Sequence, residues 1–330
     1  MLTYNFGSIV SDVGYNGTIV ATNKEISGLP RAVNRLKMGV TMDYQQTVAA
    51  TTMISGQGLH SGQRVTMQIS PQPENTGVVF QRLDLPGQPS IKADVHAVVS
   101  TERSTTIGKD GWKISTIEHL MATFHGLGID NVLVGVDGEE IPVGDGSARF
   151  FAEEIMKTGL VTQNAPRQYT VVKEPLWVEG VVYKQDIPAK AMLVILPSDR
   201  FEVSFTFTSD HKVTGTQYYH FEASPDKFLK EIASARTVGF LREIEYLQSQ
   251  GLALGGDLNC VVVVGDDGYQ NELRYPEEIV RHKILDIMGD LYLVGPLRGH
   301  VIAIRSGHKL DWELAKKIAM QQATKDISRS

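Results

Sequence analysis

A chain of 330 residues, 42% hydrophobic and 21% charged, has ordinary globular composition and enough length for two cores of usual domain size. Its net charge of −6, with no run of Lys and Arg interleaved with aromatics, argues against a nucleic-acid partner. The single cysteine, Cys260, rules out an internal disulfide and a thiolate cluster, so any metal site must be built from His, Asp and Glu.

Residues 1–41 mix Gly, Asn, Ser and Thr with scattered apolar residues and show no periodicity, which predicts a disordered extension. Met42 stands just before the first strand pattern, so a misassigned start is the other reading. No basic start followed by an apolar stretch marks a secretory signal in the first twenty residues. The longest apolar runs, 191–196 and 260–264, stop short of the roughly 18 residues that a membrane helix needs, so no integral membrane segment is expected. With one cysteine and no signal, a cytoplasmic location is expected.

From Thr47 onward the pattern is regular. Strands are predicted at 47–54, at 65–69 by the alternation Val65, Met67, Ile69, and at 78–81. A helix from Thr116, a strand at 131–136 and a helix at 148–157 closed by Gly159 complete a first set. The polar stretch Gln163-Asn-Ala-Pro-Arg167 reads as a linker, after which a similar order begins again. Strands are predicted at 169–172, 181–184, 192–196 and 203–207. A helix starts at Pro225 with Ser224 as its cap, a strand follows at 260–264, a long helix runs over 276–293, and the strand 300–304 precedes a last helix. This order predicts an α+β fold of two domains, 42–165 and 166–330, with similar layered sheet-and-helix layouts packed face to face and the site in the cleft between them.

Three places carry candidate chemistry. On the long helix, His282, Asp286 and Asp290 fall at i, i+4 and i+8 beside a broad apolar face, so one stripe offers an imidazole and two carboxylates. A His/Asp pair at this spacing serves either as a surface ion pair or as two ligands of one metal ion. In Ser115-Thr-Ile-Glu-His-Leu120 the serine and Glu118 have the spacing of a capping box, and the other reading puts His119 on a metal with Glu118 beside it as a base. His125 lies about 240° further round that helix, which separates it from His119 and suggests a structural role. In Ser306-Gly-His308, a histidine in a glycine-containing loop is either inert or a catalytic acid at a strand end. The run Gly56-Gln-Gly58-Leu-His-Ser-Gly62 leads into a strand rather than a helix, which argues against a dinucleotide site.

Together with Gly128-Ile-Asp-Asn131, Glu140-Ile-Pro-Val-Gly-Asp-Gly-Ser-Ala148, Ser234-Ala-Arg-Thr237, Arg281-His-Lys283 and Gly289-Asp290, these segments resemble one family from about Met42 to the end. That family is the UDP-3-O-acyl-N-acetylglucosamine deacetylases (LpxC). The resemblance implies zinc-dependent removal of the acetyl group from UDP-3-O-[(3R)-3-hydroxyacyl]-N-acetylglucosamine, an early committed step of lipid A biosynthesis for the Gram-negative outer membrane, by a monomer. It implies that Zn2+ is bound by His119 from the first domain and by His282 and Asp286 from the second. It also implies Glu118 as general base, His308 as the cation that stabilises the oxyanion and protonates the departing amine, Asp290 as the partner of that imidazole, Thr237 as a hydroxyl donor to the oxyanion and Lys283 as a cation facing the ligand.

Residues 239–256 correspond to a family insert that forms an apolar passage for the fatty acyl chain. Leu241, Ile244, Leu247, Leu252 and Leu254 could line it, or form plain core at helical spacing. Three positions depart from the family pattern: Val238 where an aromatic is commoner, Lys212 where proline is usual, and Gly144 in place of a larger residue. The alternatives are a zinc amidase acting on another N-acyl amino sugar and a non-catalytic UDP-lipid binding module. The second would be expected to lack a ligand or Glu118, and all are present.

Overall fold

Alternation builds the strands. In Arg64–Pro71 the side chains of Val65, Met67 and Ile69 are buried while those between them are not, and Phe201–Thr208 buries Val203 and Phe205 in the same way, because successive side chains of a strand point to opposite faces. The structure, a computed structural model, describes residues 43–184 and 187–327. The extension and alternative start expected around 1–42 lie outside the described residues.

A first sheet runs in the spatial order Thr52–Gln57, Arg64–Pro71, Val132–Val136, Val78–Arg82 and Ser90–Lys92. A second runs Leu176–Lys184, Ile187–Leu196, Leu297–Ile304, Phe201–Thr208 and Thr216–Glu222, with Thr170–Val171 alongside Leu297–Ile304. In each sheet the first two strands form an antiparallel hairpin, and the last two form another. The middle strand arrives late in the chain, antiparallel to one hairpin and parallel to the other. It is flanked in sequence by helices, Glu118–Leu127 and Arg149–Thr158 in the first half, Glu278–Leu291 and His308–Ile327 in the second. The fold is therefore α+β, with two sheet-and-helix layers of one topology.

Each half carries an insert at the same topological point, between its second hairpin and its first long helix. In the first half it is the three-stranded sheet Val98–Ser100, Thr106–Lys109 and Trp112–Ile114. In the second, the parallel strands Thr237–Phe240 and Val261–Val264 flank the helix Leu241–Ser249. The helices Glu118–Leu127 and Glu278–Leu291 pack against each other between the halves. Leu120 and Phe124 of one, and Ile284, Leu285 and Met288 of the other, belong to a continuous core that includes the inner faces of both sheets. Each such fully buried side chain contributes about 1.5–3 kcal/mol of hydrophobic stabilisation.

Several elements differ from the sequence expectation. The strand expected at 47–54 is two strands, because the chain turns at the exposed Ala49, Ala50 and Thr51 and Tyr44–Val48 pairs with Leu160–Pro166 instead of joining the first sheet. That pairing also makes the expected polar linker a strand, with Gln163 hydrogen-bonded to Asn131 and to Gln72 in place of apolar contacts. The helix at Pro225 has its cap, Lys227 N donating to Ser224 Oγ at 3.3 Å, but after Lys227 it widens into a π-turn at Phe228–Ile232. Among the described residues no helix is long and apolar enough to cross a membrane.

Candidate active site and metal centre

The two central helices meet at a glycine. A Cβ on Gly289 would lie 2.0 Å from the Glu118 carbonyl oxygen, so only glycine admits this backbone approach. The approach sets His119 against the next turn of the opposite helix. His119 Nε2 lies 3.6 Å from Asp286 Oδ1, and His282 Nε2 lies 3.3 Å from the same oxygen. The two imidazoles stand edge to face with centroids 4.9 Å apart, and the possible ligand atoms of all three residues lie within 4.8 Å of one another.

All three side chains are buried, yet Asp286 Oδ1 has no hydrogen-bond partner among the described residues. A buried carboxylate oxygen without a donor is costly, and two imidazole nitrogens beside it supply the donor set of a zinc-type ion. The residues present thus fit a divalent metal. The other oxygen, Oδ2, accepts from Lys283 Nζ at 2.8 Å. His282 Nδ1 is tied to the carbonyl of Ala235 at 3.0 Å, which orients its ring with Nε2 toward the carboxylate.

That carbonyl is itself held firmly. Arg236, next in the chain, pairs with the fully buried Glu278 through Nε at 2.9 Å and through its backbone N–H at 3.0 Å. Burial pushes the His282 imidazole down to about 3, so it is neutral at ordinary pH. Burial alone would raise the Asp286 carboxyl, but His282, the charged Lys283 and the nearby His119 outweigh it and hold the group well below the usual range. Lys283 is likewise kept charged: burial opposes its charge, and Asp286 overrides it.

A second chain of bonds runs beside the triad. Glu118 Oε2 accepts from Thr105 N–H at 2.9 Å, Thr105 Oγ1 donates to Asp290 Oδ1 at 2.5 Å, and Asp290 Oδ2 accepts from His308 Nδ1 at 2.8 Å. The capping box that 115 and 118 could have formed is absent. Ser115 Oγ donates to the Glu139 carbonyl at 3.0 Å, and Thr116, in a left-handed turn at φ 62°, directs its hydroxyl to Glu140. Burial raises the Glu118 carboxyl, with His308 and His119 opposing. Burial would lower His308, but Asp290, Glu118 and Asp286 push it up to about 10, so its imidazole is a cation at neutral pH.

Sequence reasoning missed Thr105 and Asp311 here. Thr105 sits in a polar run with no periodicity to betray its burial. Asp311 is buried with neither oxygen hydrogen-bonded among the described residues, and burial with Asp290 nearby pushes it up to about 8. Its only sequence signal is a carboxylate three residues after His308.

Thr237 lies one residue beyond the Arg236 anchor, and with it begins an apolar cavity of about 390 Å³. Leu241, Ile244 and Leu247 line it with Val238, Val261 and Val263, and Leu59, His60 and Arg103 come from the first half. Leu252 and Leu254 stand outside that lining; Ala253, between them, is part of it. The 58–62 turn is occupied by the protein's own carboxylate: Glu140 accepts from the N–H groups of His60 and Ser61, each at 2.8 Å. Gly144 has φ 58°, and a Cβ there would meet the Phe150 ring at 2.1 Å, which accounts for the absence of a larger residue. His125 stacks on Tyr292 at 4.8 Å and bonds the Met288 carbonyl, while burial lowers it to about 4.

Most of the chain is similar to known proteins. The family model described as UDP-3-O-acyl N-acetylglycosamine deacetylase (LpxC) matches residues 45–320. The chain is 43% identical over 280 residues to the UDP-3-O-acyl-N-acetylglucosamine deacetylase of Citrifermentans bemidjiense, covering 84% of this chain and 89% of that one. The same values hold for the enzyme of that name from a Geobacter species. The one from Acidithiobacillus ferrooxidans is 42% identical over 286 residues, covering 85% and 91% of the two chains. The chain belongs to the LpxC family of UDP-3-O-acyl N-acetylglycosamine deacetylases, hydrolases that act on an amide.

Proposed function

We propose that this protein hydrolyses the acetamide of UDP-3-O-[(3R)-3-hydroxyacyl]-N-acetylglucosamine to UDP-3-O-acyl-glucosamine and acetate, in the lipid A pathway and in the cytoplasm, with Zn2+ held by His119, His282 and Asp286. The observation that carries this reading is the convergence of two buried imidazoles, one from each half, on a buried carboxylate oxygen that has no other partner. All three come from one chain, so a monomer contains the whole site.

Zinc held there would polarise the amide carbonyl and bring the pKa of a bound water from about 15.7 to about 7. Glu118, its carboxyl raised by burial and fixed by the Thr105 amide, takes the proton of the attacking water. Thr237 and the His308 cation stabilise the oxyanion of the tetrahedral intermediate. As the C–N bond breaks, His308 gives its proton to the departing amine, and Asp290 holds the ring through Nδ1. Lys283 keeps Asp286 ionised and offers a cation at the site's edge. The acyl chain occupies the cavity that begins at Thr237.

The test is metal content together with deacetylation of the UDP-acyl sugar before and after chelation. Coupled loss and recovery on adding Zn2+ is expected. Full activity in metal-free protein would refute the reading.

A further inference from the structure

A second group of ligand-type side chains lies on the outer face of the second sheet. Glu202 and His300 are register partners across the parallel pair formed by Phe201–Thr208 and Leu297–Ile304. Ser204, two residues along, is the register partner of His220 on the edge strand Thr216–Glu222. Their neighbours Val203, Phe205, Phe221 and Val301 point into the core, so Glu202, Ser204, His220 and His300 share the opposite face.

We infer that Glu202, His220 and His300 form a second metal site, for a borderline divalent ion of the Zn2+ class, that clips the edge strand to the middle of the sheet. Possible ligand atoms of the three lie within 4.8 Å of one another, and His220 Nε2 is 3.8 Å from Glu202 Oε2. Bonds of about 2.0–2.1 Å in a tetrahedral site place ligand atoms about 3.4 Å apart, so small side-chain rotations suffice.

The supporting bonds orient the set. Ser204 Oγ lies 3.0 Å from His220 Nδ1 and 2.9 Å from His300 Nε2. A hydroxyl has one proton to give, so at least one ring nitrogen donates to it. With His220 Nδ1 and His300 Nε2 both donating to it, His220 Nε2 turns a lone pair toward Glu202 and His300 keeps its lone pair on Nδ1. Ser198 Oγ holds the other carboxylate oxygen, Oε1, at 2.8 Å. Two imidazoles and one carboxylate on adjacent strands are a borderline donor set, which discriminates against Mg2+ and Ca2+. Among the described residues the edge strand has a sheet partner on one side only, so a clip reaching across to the middle strand would add to what holds it on the sheet.

The test uses the full chain, stripped with chelator and titrated with Zn2+, reading bound equivalents and melting temperature for His282→Ala, for His220→Ala and for the double variant. No residue is shared with the proposed active site. His282→Ala should therefore lose deacetylase activity yet keep one Zn2+ equivalent and a Zn2+-dependent rise in melting temperature. The double variant should lose both, and His220→Ala alone should keep deacetylase activity. Should His220→Ala fold poorly, Glu202→Gln on the His282→Ala background replaces it, with the same loss expected. A His282→Ala protein that binds no Zn2+, or a double variant that binds as much as His282→Ala, would overturn the site while leaving the proposed reaction untouched.

Discussion

The two inserts occupy the same place in the two halves and differ in what they leave exposed. The first, residues 98–114, buries a short polar run: Ser104, Thr105 and Thr106 are all inside, and Thr105 joins Glu118 to Asp290. The second, residues 237–264, leaves large apolar side chains at the surface, with Leu241, Tyr246, Leu254 and Leu258 each at least half exposed. Buried polar groups with fully specified partners fix geometry, whereas an open apolar lining has surface still to cover. One insert is thus suited to hold reacting groups in place, and the other to take up an apolar ligand.

If that contrast is right, changes near the first insert should act on rate, and changes in the second on binding. The largest effect is expected for Glu118→Gln, which keeps the Thr105 contact and removes the proposed base. Its kcat should fall about 10²–10⁴-fold with metal content unchanged. An undiminished kcat would end the assignment.

Next comes Gly289→Ala, whose Cβ must displace the Glu118 backbone. Overpacking of this kind costs about 1–3 kcal/mol of stability, and the separation of His119 from Asp286 should weaken metal retention in the same variant. Thermal melting and metal titration check the two together. A lowered melting temperature with full metal affinity would show that the helices are not what sets the triad.

The pH profile sharpens the assignment of the acid. As the proposed acid, His308 would work only while protonated, and the carboxylates around it hold its pKa up to about 10 against the effect of burial. Rate should therefore fall as pH rises through the upper limb. Asp290→Asn removes the foremost of those anions and should move the limb to lower pH, so the variant loses more activity in alkaline buffer than in mildly acidic buffer. An unmoved limb would separate His308 from that titration.

The smallest expected effect belongs to the second insert. Each acyl methylene buried in the cavity should contribute about 0.8 kcal/mol, or about fourfold in kcat/KM. A series of substrates with shortened chains reads this directly, and a flat series would assign the cavity to something else.

How much of this was legible in the sequence varied with the kind of interaction. The helix Glu278–Leu291 announces itself through a long apolar period, and with it the stripe His282, Asp286, Asp290. Spacing could not bring His119 to that stripe, since the contact is made between residues 163 or more positions apart through a glycine whose role is visible only in three dimensions; the family resemblance supplied the pairing. Thr105 and Asp311 gave no periodic signal, because a buried polar group is specified by its partners rather than by a pattern. The polar stretch 163–167 gives no strand pattern, because the strand Leu160–Pro166 that contains most of it pairs with Tyr44–Val48 and uses amide side chains in place of an apolar face. The shared topology of the halves was foreseen as a similar order of elements, while its strand-by-strand identity needed the hydrogen-bond registers.

The central claim is that His119, His282 and Asp286 meet at one ion. Anomalous diffraction at the zinc edge from crystals of the intact protein tests it most directly. The account predicts a strong peak between the two imidazoles, about 2.0–2.1 Å from each Nε2 and about 2.0–2.2 Å from Asp286 Oδ1. Zinc-loaded crystals with no peak there, or with their zinc on Cys260, would contradict it.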